Sequence, residues 1–320
     1  MKISDIKKIA CVGGGVIGSS WAIQFAMRGL DVTLYDINEE QLEKSRTQME
    51  RSLDALVRHQ AVTEQRRGEI LSMVRFTTSM EQAVGNAQFV QESGPERLEI
   101  KRSILAQVEA WAAPETIYAS STSGLLISDI SAQAKYPGRC IGAHPYNPPH
   151  LIPLVELTRC DKTDDEVVEL AYGFYQSIGK EAVLLRKECP GFVANRLQLA
   201  LYREVQDLVL RGVCSVEDAD KALVYGPGIR WAIFGHNMIM QLGNPGGLTG
   251  MVNMLGNSGD RWLEDMASWT HQPDNWAEIA QPGVDREMEN FPEHIGHTNE
   301  DCIAYRDRML IDILKLHKKL

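Results

Sequence analysis

The chain has 320 residues, 44% hydrophobic and 24% charged, with a formal net charge of −10 and a pI near 5.4. That length suits two domains with a sizeable core, and an acidic balance without an offsetting basic stripe argues against a nucleic-acid partner. The six cysteines (Cys11, Cys140, Cys160, Cys189, Cys214, Cys302) show no C-x-x-C pair and no metal-ligand spacing, so no metal is expected and a reducing, cytoplasmic setting is. No run of eighteen apolar residues offers a membrane span, and the first residues lack the apolar core of a signal peptide.

In chain order, Lys8-Ile9-Ala10-Cys11-Val12 reads as a strand, followed by a glycine turn and a helix over 16–28 that Gly29 stops. Residues 31–35 form the next strand. From 38 to about 65 the apolar residues Leu42, Met49, Leu53, Leu56 and Val57 recur with helical period, and the pattern predicts a helical hairpin reaching Met73. Strand signals return at 87–90, 116–119, 140–143 and 183–185. Strands alternating with helices of ten or more residues predict an α/β fold, a Rossmann-type doubly wound parallel sheet.

The texture changes at Cys189-Pro190-Gly191. Beyond it Val193, Leu197, Leu201, Val205 and Leu208 repeat at helical spacing, glycine-rich breaks at 226–228 and 243–247 separate further helices, and a last helix carries Ile303, Leu310, Ile313 and Leu314. The expected domains are therefore 1–188, with the sheet, and an all-helical 189–320.

Gly13-Gly14-Gly15-Val16-Ile17-Gly18 fits G-x-G-x-x-G between a strand and a helix. Gly13 permits the tight turn, Gly15 lets a pyrophosphate approach the backbone, and Gly18 lets helix and sheet pack closely. The amides of Val16 and Ile17 sit at the positive end of the helix. Asp36, eighteen residues past Gly18 at the end of the second strand, suits the ribose hydroxyls of NAD and repels the extra phosphate of NADP. A tight turn without a ligand would use the same glycines, and FAD is the other dinucleotide the pattern admits.

Two further segments follow strands: Ser120-Ser121-Thr122-Ser123-Gly124, and His144-Pro145-Tyr146-Asn147-Pro148 running on to Glu156. Ligands of open parallel sheets bind beyond the carboxyl ends of the strands, so a Ser, a His and a Glu there form a proton-handling set. Each also has a duller role: His144 as a turn histidine, Ser123 as a helix cap, Glu156 at the sheet edge or in an ion pair.

With these segments, and with Pro190-Gly191-Phe192-Val193-Ala194-Asn195-Arg196, the chain resembles the L-3-hydroxyacyl-CoA dehydrogenase family over nearly its whole length. The resemblance implies a Rossmann-type domain with a helical excursion, then a helical domain that dimerises, hence a homodimer. It implies His144 as acid/base, Glu156 as its orienting partner, and Ser123 and Asn195 as hydrogen-bonding groups near the reacting oxygen. Glu96 and Lys101 match positions that contact the nicotinamide half of NAD.

Residues 91–101, 120–126 and Ile229-Arg230-Trp231-Ala232-Ile233-Phe234-Gly235 are similar to a narrower branch that oxidises free hydroxy acids, the carnitine and gulonate 3-dehydrogenases of the λ-crystallin type. The Pro-Met-Gly-Pro-Phe-Glu stretch usual in acyl-CoA members is replaced here. The resemblance implies a small free L-3-hydroxy acid as substrate. Arg230 is then the candidate for its carboxylate, and Trp231, with Tyr146, for an aromatic wall beside a trimethylammonium group. A surface ion pair for Arg230 and core packing for Trp231 are the plainer alternatives. A 3-hydroxyacyl-CoA substrate and a crystallin-like structural protein that binds NAD are the competing functions.

Overall fold

The computed structural model describes residues 1–320, which divide into two compact units, Met1–Ala194 with Asp307–Leu320, and Asn195–Arg306. The first unit is built on strands β1 (Lys8–Val12), β2 (Asp31–Tyr35), β3 (Val74–Thr77), β4 (Phe89–Glu92), β5 (Ile117–Ser120), β6 (Cys140–Pro145), β7 (Leu154–Thr158) and β8 (Glu181–Leu184). They form one eight-stranded sheet in the order β3-β2-β1-β4-β5-β6-β7-β8. Every neighbouring pair is parallel except β6 and β7, which run antiparallel. The doubly wound sheet is as the sequence predicts, but β3 and β7 are additions to it. Both are short and carry a charge in mid-strand (Arg75, Glu156), so neither shows the apolar run that marks the buried strands.

Helices α1 (Val16–Met27), α2 (Glu39–Arg58), α3 (Glu64–Ser72), α4 (Met80–Val84), α5 (Leu98–Trp111), α6 (Ile127–Ile130) and α7 (Asp165–Ser177) cover the sheet. Successive strand side chains point to opposite faces, and two apolar layers result. Phe89, Ile117 and Ile141 join Trp21, Phe25 and Phe174 in one. Val90, Tyr118 and Cys140 join Leu105, Val108 and Ile130 in the other. Trp21 stacks on Phe25 at 5.2 Å and Phe89 meets Phe174 at 4.7 Å. The predicted helical hairpin after β2 is α2 and α3, capped by the side chains of Asn38 and Thr63, which satisfy amides a bare helix start leaves open.

The second unit is helical: α8 (Ala194–Leu210), α9 (Val216–Leu223), α10 (Ile229–Trp231), α11 (His236–Leu242), α12 (Gly247–Asp265) and α13 (Trp276–Glu289). The last helix, α14 (Asn299–Leu316), begins in this unit and ends in the first. The compact units place 189–194 and 307–320 with the first unit, where the sequence expectation put them in a helical domain of 189–320. Ile311 and Leu314 are buried in the core of the first unit, and helical period alone does not tell which core an apolar stripe joins. No helix is long and apolar enough to cross a membrane.

Candidate active site

The glycine turn after β1 has the shape its sequence calls for. Gly13 has φ +105°, and a Cβ there would lie 2.7 Å from the Ser93 carbonyl oxygen. A Cβ at Gly18 would lie 1.8 Å from the Gly13 carbonyl oxygen, whereas one at Gly15 would meet nothing within 4 Å. Gly15 thus faces open space, as a pyrophosphate approaching the backbone requires. No side chain caps α1, so its first amides are presented to a ligand.

The turn is held from behind. The Gly14 carbonyl accepts from Ser45 Oγ (2.5 Å), Gln41 Nε2 (2.8 Å) and Ser19 Oγ (3.1 Å). Asp36 accepts the Gly14 amide on one carboxylate oxygen and the Ile37 amide on the other, each at 2.7 Å. Gly13, Gly15, Asp36, Ile37, Ser93 and Pro95 help line a cavity of about 740 Å³, ample for the adenosine half of a dinucleotide. Gln41 and Ser45 were beyond the glycine motif, since they reach it from the next helix.

At the other side of the sheet's carboxyl edge, the antiparallel register sets His144 directly opposite Glu156. His144 Nδ1 and Glu156 Oε2 are 2.9 Å apart, with both side chains buried. Glu156 Oε1 accepts the amides of Val193 (2.8 Å) and Ala194 (2.9 Å) at the entry to α8. Burial pushes the Glu156 carboxyl up, but hydrogen bonds from His144, Ala194 and Val193 outweigh it, and its pKa lies below the ordinary value. An ionised Glu156 accepts only, so Nδ1 carries the hydrogen and Nε2 is the ring atom left to exchange a proton. Tyr146 and Phe192 flank the imidazole at 5.8 and 5.4 Å between ring centres.

Ser123 lies in a braced loop. Thr122 Oγ1 (2.7 Å) and the amides of Ser123 (2.8 Å) and Gly124 (3.0 Å) all donate to Glu96 Oε1. Burial raises the Glu96 pKa, and the Thr122 bond, the Lys101 charge and the backbone amides together bring it below its usual value. Lys101, 1% exposed, reaches Glu96 at 3.5 Å and Glu92 at 2.9 Å. Glu92, fully buried, also accepts from Ser120 Oγ at 2.5 Å and from the Gly94 amide at 2.6 Å. The structure therefore gives Glu96 and Lys101 a bracing place beneath Ser123, with Glu96 alone 40% exposed. Glu92 was missed in the sequence, where a carboxylate ending a strand has no signature of its partner on the following helix.

The remaining candidates belong to the second unit. Asn195 follows Ala194 in α8. Trp231 Nε1 donates to His236 Nδ1 at 3.2 Å, which fixes the indole plane, and Trp231 is 38% exposed. Arg230, exposed in α10, has no carboxylate within ion-pair distance, so the surface ion pair considered above does not form.

A Rossmann sheet bearing this glycine cradle and a buried imidazole–carboxylate pair at its carboxyl edge defines an NAD-dependent oxidoreductase. Residues 8–189 match the NAD binding domain of 3-hydroxyacyl-CoA dehydrogenase, and 191–278 match its C-terminal domain. The chain belongs to the 3-hydroxyacyl-CoA dehydrogenase family. It is 37% identical to an L-carnitine dehydrogenase of Streptomyces griseus over 322 aligned residues, covering 99% of this chain and 91% of that one. A 3-hydroxyacyl-CoA dehydrogenase of Gibberella moniliformis is 36% identical, with 99% and 96% covered. Among solved structures, 5-formyl-3-hydroxy-2-methylpyridine 4-carboxylic acid 5-dehydrogenase, an NAD+-dependent dismutase, superposes with a TM-score of 0.77 at 28% identity, covering 98% of both chains.

Gly18→Ala, which forces a Cβ into the Gly13 carbonyl, is expected to weaken NAD binding by about tenfold or more. Gly68→Ala, whose Cβ would meet nothing within 4 Å, should leave it unchanged. Calorimetric titration of both variants with NAD checks the contrast.

Proposed function

We propose that this chain oxidises the 3-hydroxyl of a small free L-3-hydroxy acid, of the carnitine or gulonate kind, to the 3-keto acid. Bound NAD would supply the hydride acceptor. The observation that carries the reading is the 2.9 Å bond from His144 Nδ1 to Glu156, which leaves Nε2 as a base. As the substrate C–H bond breaks with its electron pair, Nε2 takes the hydroxyl proton, and the new imidazolium sits beside the Glu156 carboxylate. In reduction the same nitrogen returns the proton. Ser123 and Asn195 are assigned to polarise the reacting oxygen. Gly13, Gly15, Val16, Ile17, Gly18 and Asp36 are assigned to the adenosine diphosphate half of NAD, and Glu96 and Lys101 to the nicotinamide side.

The free-acid choice is supported by Arg230, whose guanidinium lacks a carboxylate partner in the chain, and by relatives named L-carnitine dehydrogenase. A free carboxylate would give Arg230 a charge-assisted, bidentate partner. Trp231 offers an aromatic face to a quaternary ammonium. The relative named 3-hydroxyacyl-CoA dehydrogenase keeps a thioester as the second reading.

Large apolar side chains stand exposed across the second unit, among them Leu197, Tyr225, Ile233, Trp262 and Leu263. So many on one domain mark an association surface, and a C2 homodimer is the simplest assembly that covers it.

His144→Ala should lower kcat by about 10²- to 10⁴-fold while the NAD dissociation constant, read by fluorescence titration, moves by less than about twofold. Turnover of L-carnitine and L-gulonate should exceed that of 3-hydroxybutyryl-CoA, and Arg230→Ala should raise KM for the preferred acid by about ten- to a hundredfold. A thioester preference left untouched by Arg230→Ala would reverse the substrate assignment. Light scattering should give twice the 35.8 kDa chain mass.

A further inference from the structure

Residues 146–153 join the strand that carries His144 to the strand that carries Glu156, and a buried amine holds this turn in place. Lys180, just before β8, is 3% exposed. Its Nζ donates to the carbonyl oxygens of Pro149 (2.5 Å) and Ile152 (2.7 Å) and lies 4.9 Å from the centre of the Trp21 ring. His150, between the two carbonyls, is tied to α1. Its backbone amide donates to Ser20 Oγ at 2.9 Å, and its Nδ1 is hydrogen-bonded to the same hydroxyl at 2.7 Å.

Ser20 and Trp21 lie on the helix whose first turn closes the glycine cradle. One buried cluster thus links the His144–Glu156 hairpin to the coenzyme helix. Burial pushes the Lys180 amine down to about 7, with the Arg28 charge adding to it. Burial likewise pushes His150 down to about 4, with the Lys180 charge adding. An apolar side chain of the same length would fill this space without that penalty. What it would lack is hydrogen for the buried Pro149 carbonyl and the part-buried Ile152 carbonyl, and a buried acceptor left without a donor is costly.

We propose that Lys180 is a positioning residue for the proton transfer at His144, fixing the turn that sets His144 opposite Glu156 against the helix of the coenzyme cradle. The proposal rests on the acid–base assignment of His144 made above. Lys180 touches neither partner of that pair. Its effect passes through the turn, so it should act on kcat rather than on coenzyme binding.

The test measures Lys180→Met by steady-state kinetics, NAD titration and amide hydrogen exchange. Misplacement of the pair should lower kcat by about ten- to a hundredfold, with KM and the NAD dissociation constant within about threefold of the parent. Exchange should quicken in residues 146–153 while β1, β4 and β5 stay protected. In the His144→Ala background, Lys180→Met should cost nothing further, because both act on one proton transfer. Ser20→Ala loosens the same cluster from the α1 side and should lower kcat by about three- to tenfold, so the question stays answerable should Lys180→Met fold poorly. A folded Lys180→Met or Ser20→Ala enzyme with parental kcat overturns the proposal, as does a Lys180→Met loss that multiplies in full onto His144→Ala. Parental kcat in His144→Ala alone would instead overturn the acid–base assignment itself, a separate result.

Discussion

The Glu156 carboxylate joins three parts of the chain at one point. One oxygen takes the His144 ring from β6, the other takes two amides at the entry to α8, and the residue itself lies on β7. A buried carboxylate is costly unless its oxygens are filled, and removing one partner of a buried pair typically costs about 3–5 kcal/mol. Here the His144 ring and the two amides together outweigh burial and hold the Glu156 carboxyl below its ordinary value. On the assignment proposed above, the imidazole exchanges its proton beside a carboxylate whose oxygens are already filled. That separation of duties needs the antiparallel β6–β7 pair. Two residues only twelve apart in sequence stand face to face across a hairpin, whereas a parallel neighbour would require a long crossover between them.

A second buried carboxylate at the same edge serves a different end. Glu92 is matched by Lys101 and by Ser120 Oγ, all of them buried. This group is a static brace, and it passes through Glu96 to the loop of Ser123. Glu156 instead faces an imidazole, the group assigned above to proton transfer. Two acid networks of like burial thus differ in function because of what each carboxylate is paired with.

The parts legible in sequence were those whose cause is local. Gly13 and Gly18 must be glycines because backbone lies where a Cβ would be, while Gly15 leaves open space before the turn, and such requirements leave their mark at fixed spacing. The α2–α3 hairpin was legible in the period of Leu42, Met49, Leu53 and Leu56, all of which are buried. Where the cause is distant, the sequence was silent. Strand β7 owes its place to pairing with β6 and β8 rather than to its own five residues. The burial of Ile311 and Leu314 in the first unit is decided by a core whose earliest members, Ile6 and Ile9, lie more than three hundred residues away in the chain. Lys180 reads as any surface lysine until the carbonyls of Pro149 and Ile152 are seen around it.

The chain's net charge of −10 is at first sight ill-suited to an anionic coenzyme. The contradiction dissolves on the length scale of the contacts. Surface charges more than a Debye length apart, about 8 Å at physiological ionic strength, are largely screened. What a bound phosphate meets is the uncapped start of α1, where oriented amides act at hydrogen-bond distance and the local dipole is positive. Asp36 at that turn already accepts two amides, those of Gly14 and Ile37, which spreads its charge into the backbone. Its remaining lone pairs suit hydroxyls and reject a phosphate. Local sign, set by a few amides and one acid, is therefore what a nucleotide meets at this turn, whatever the net charge of the exterior.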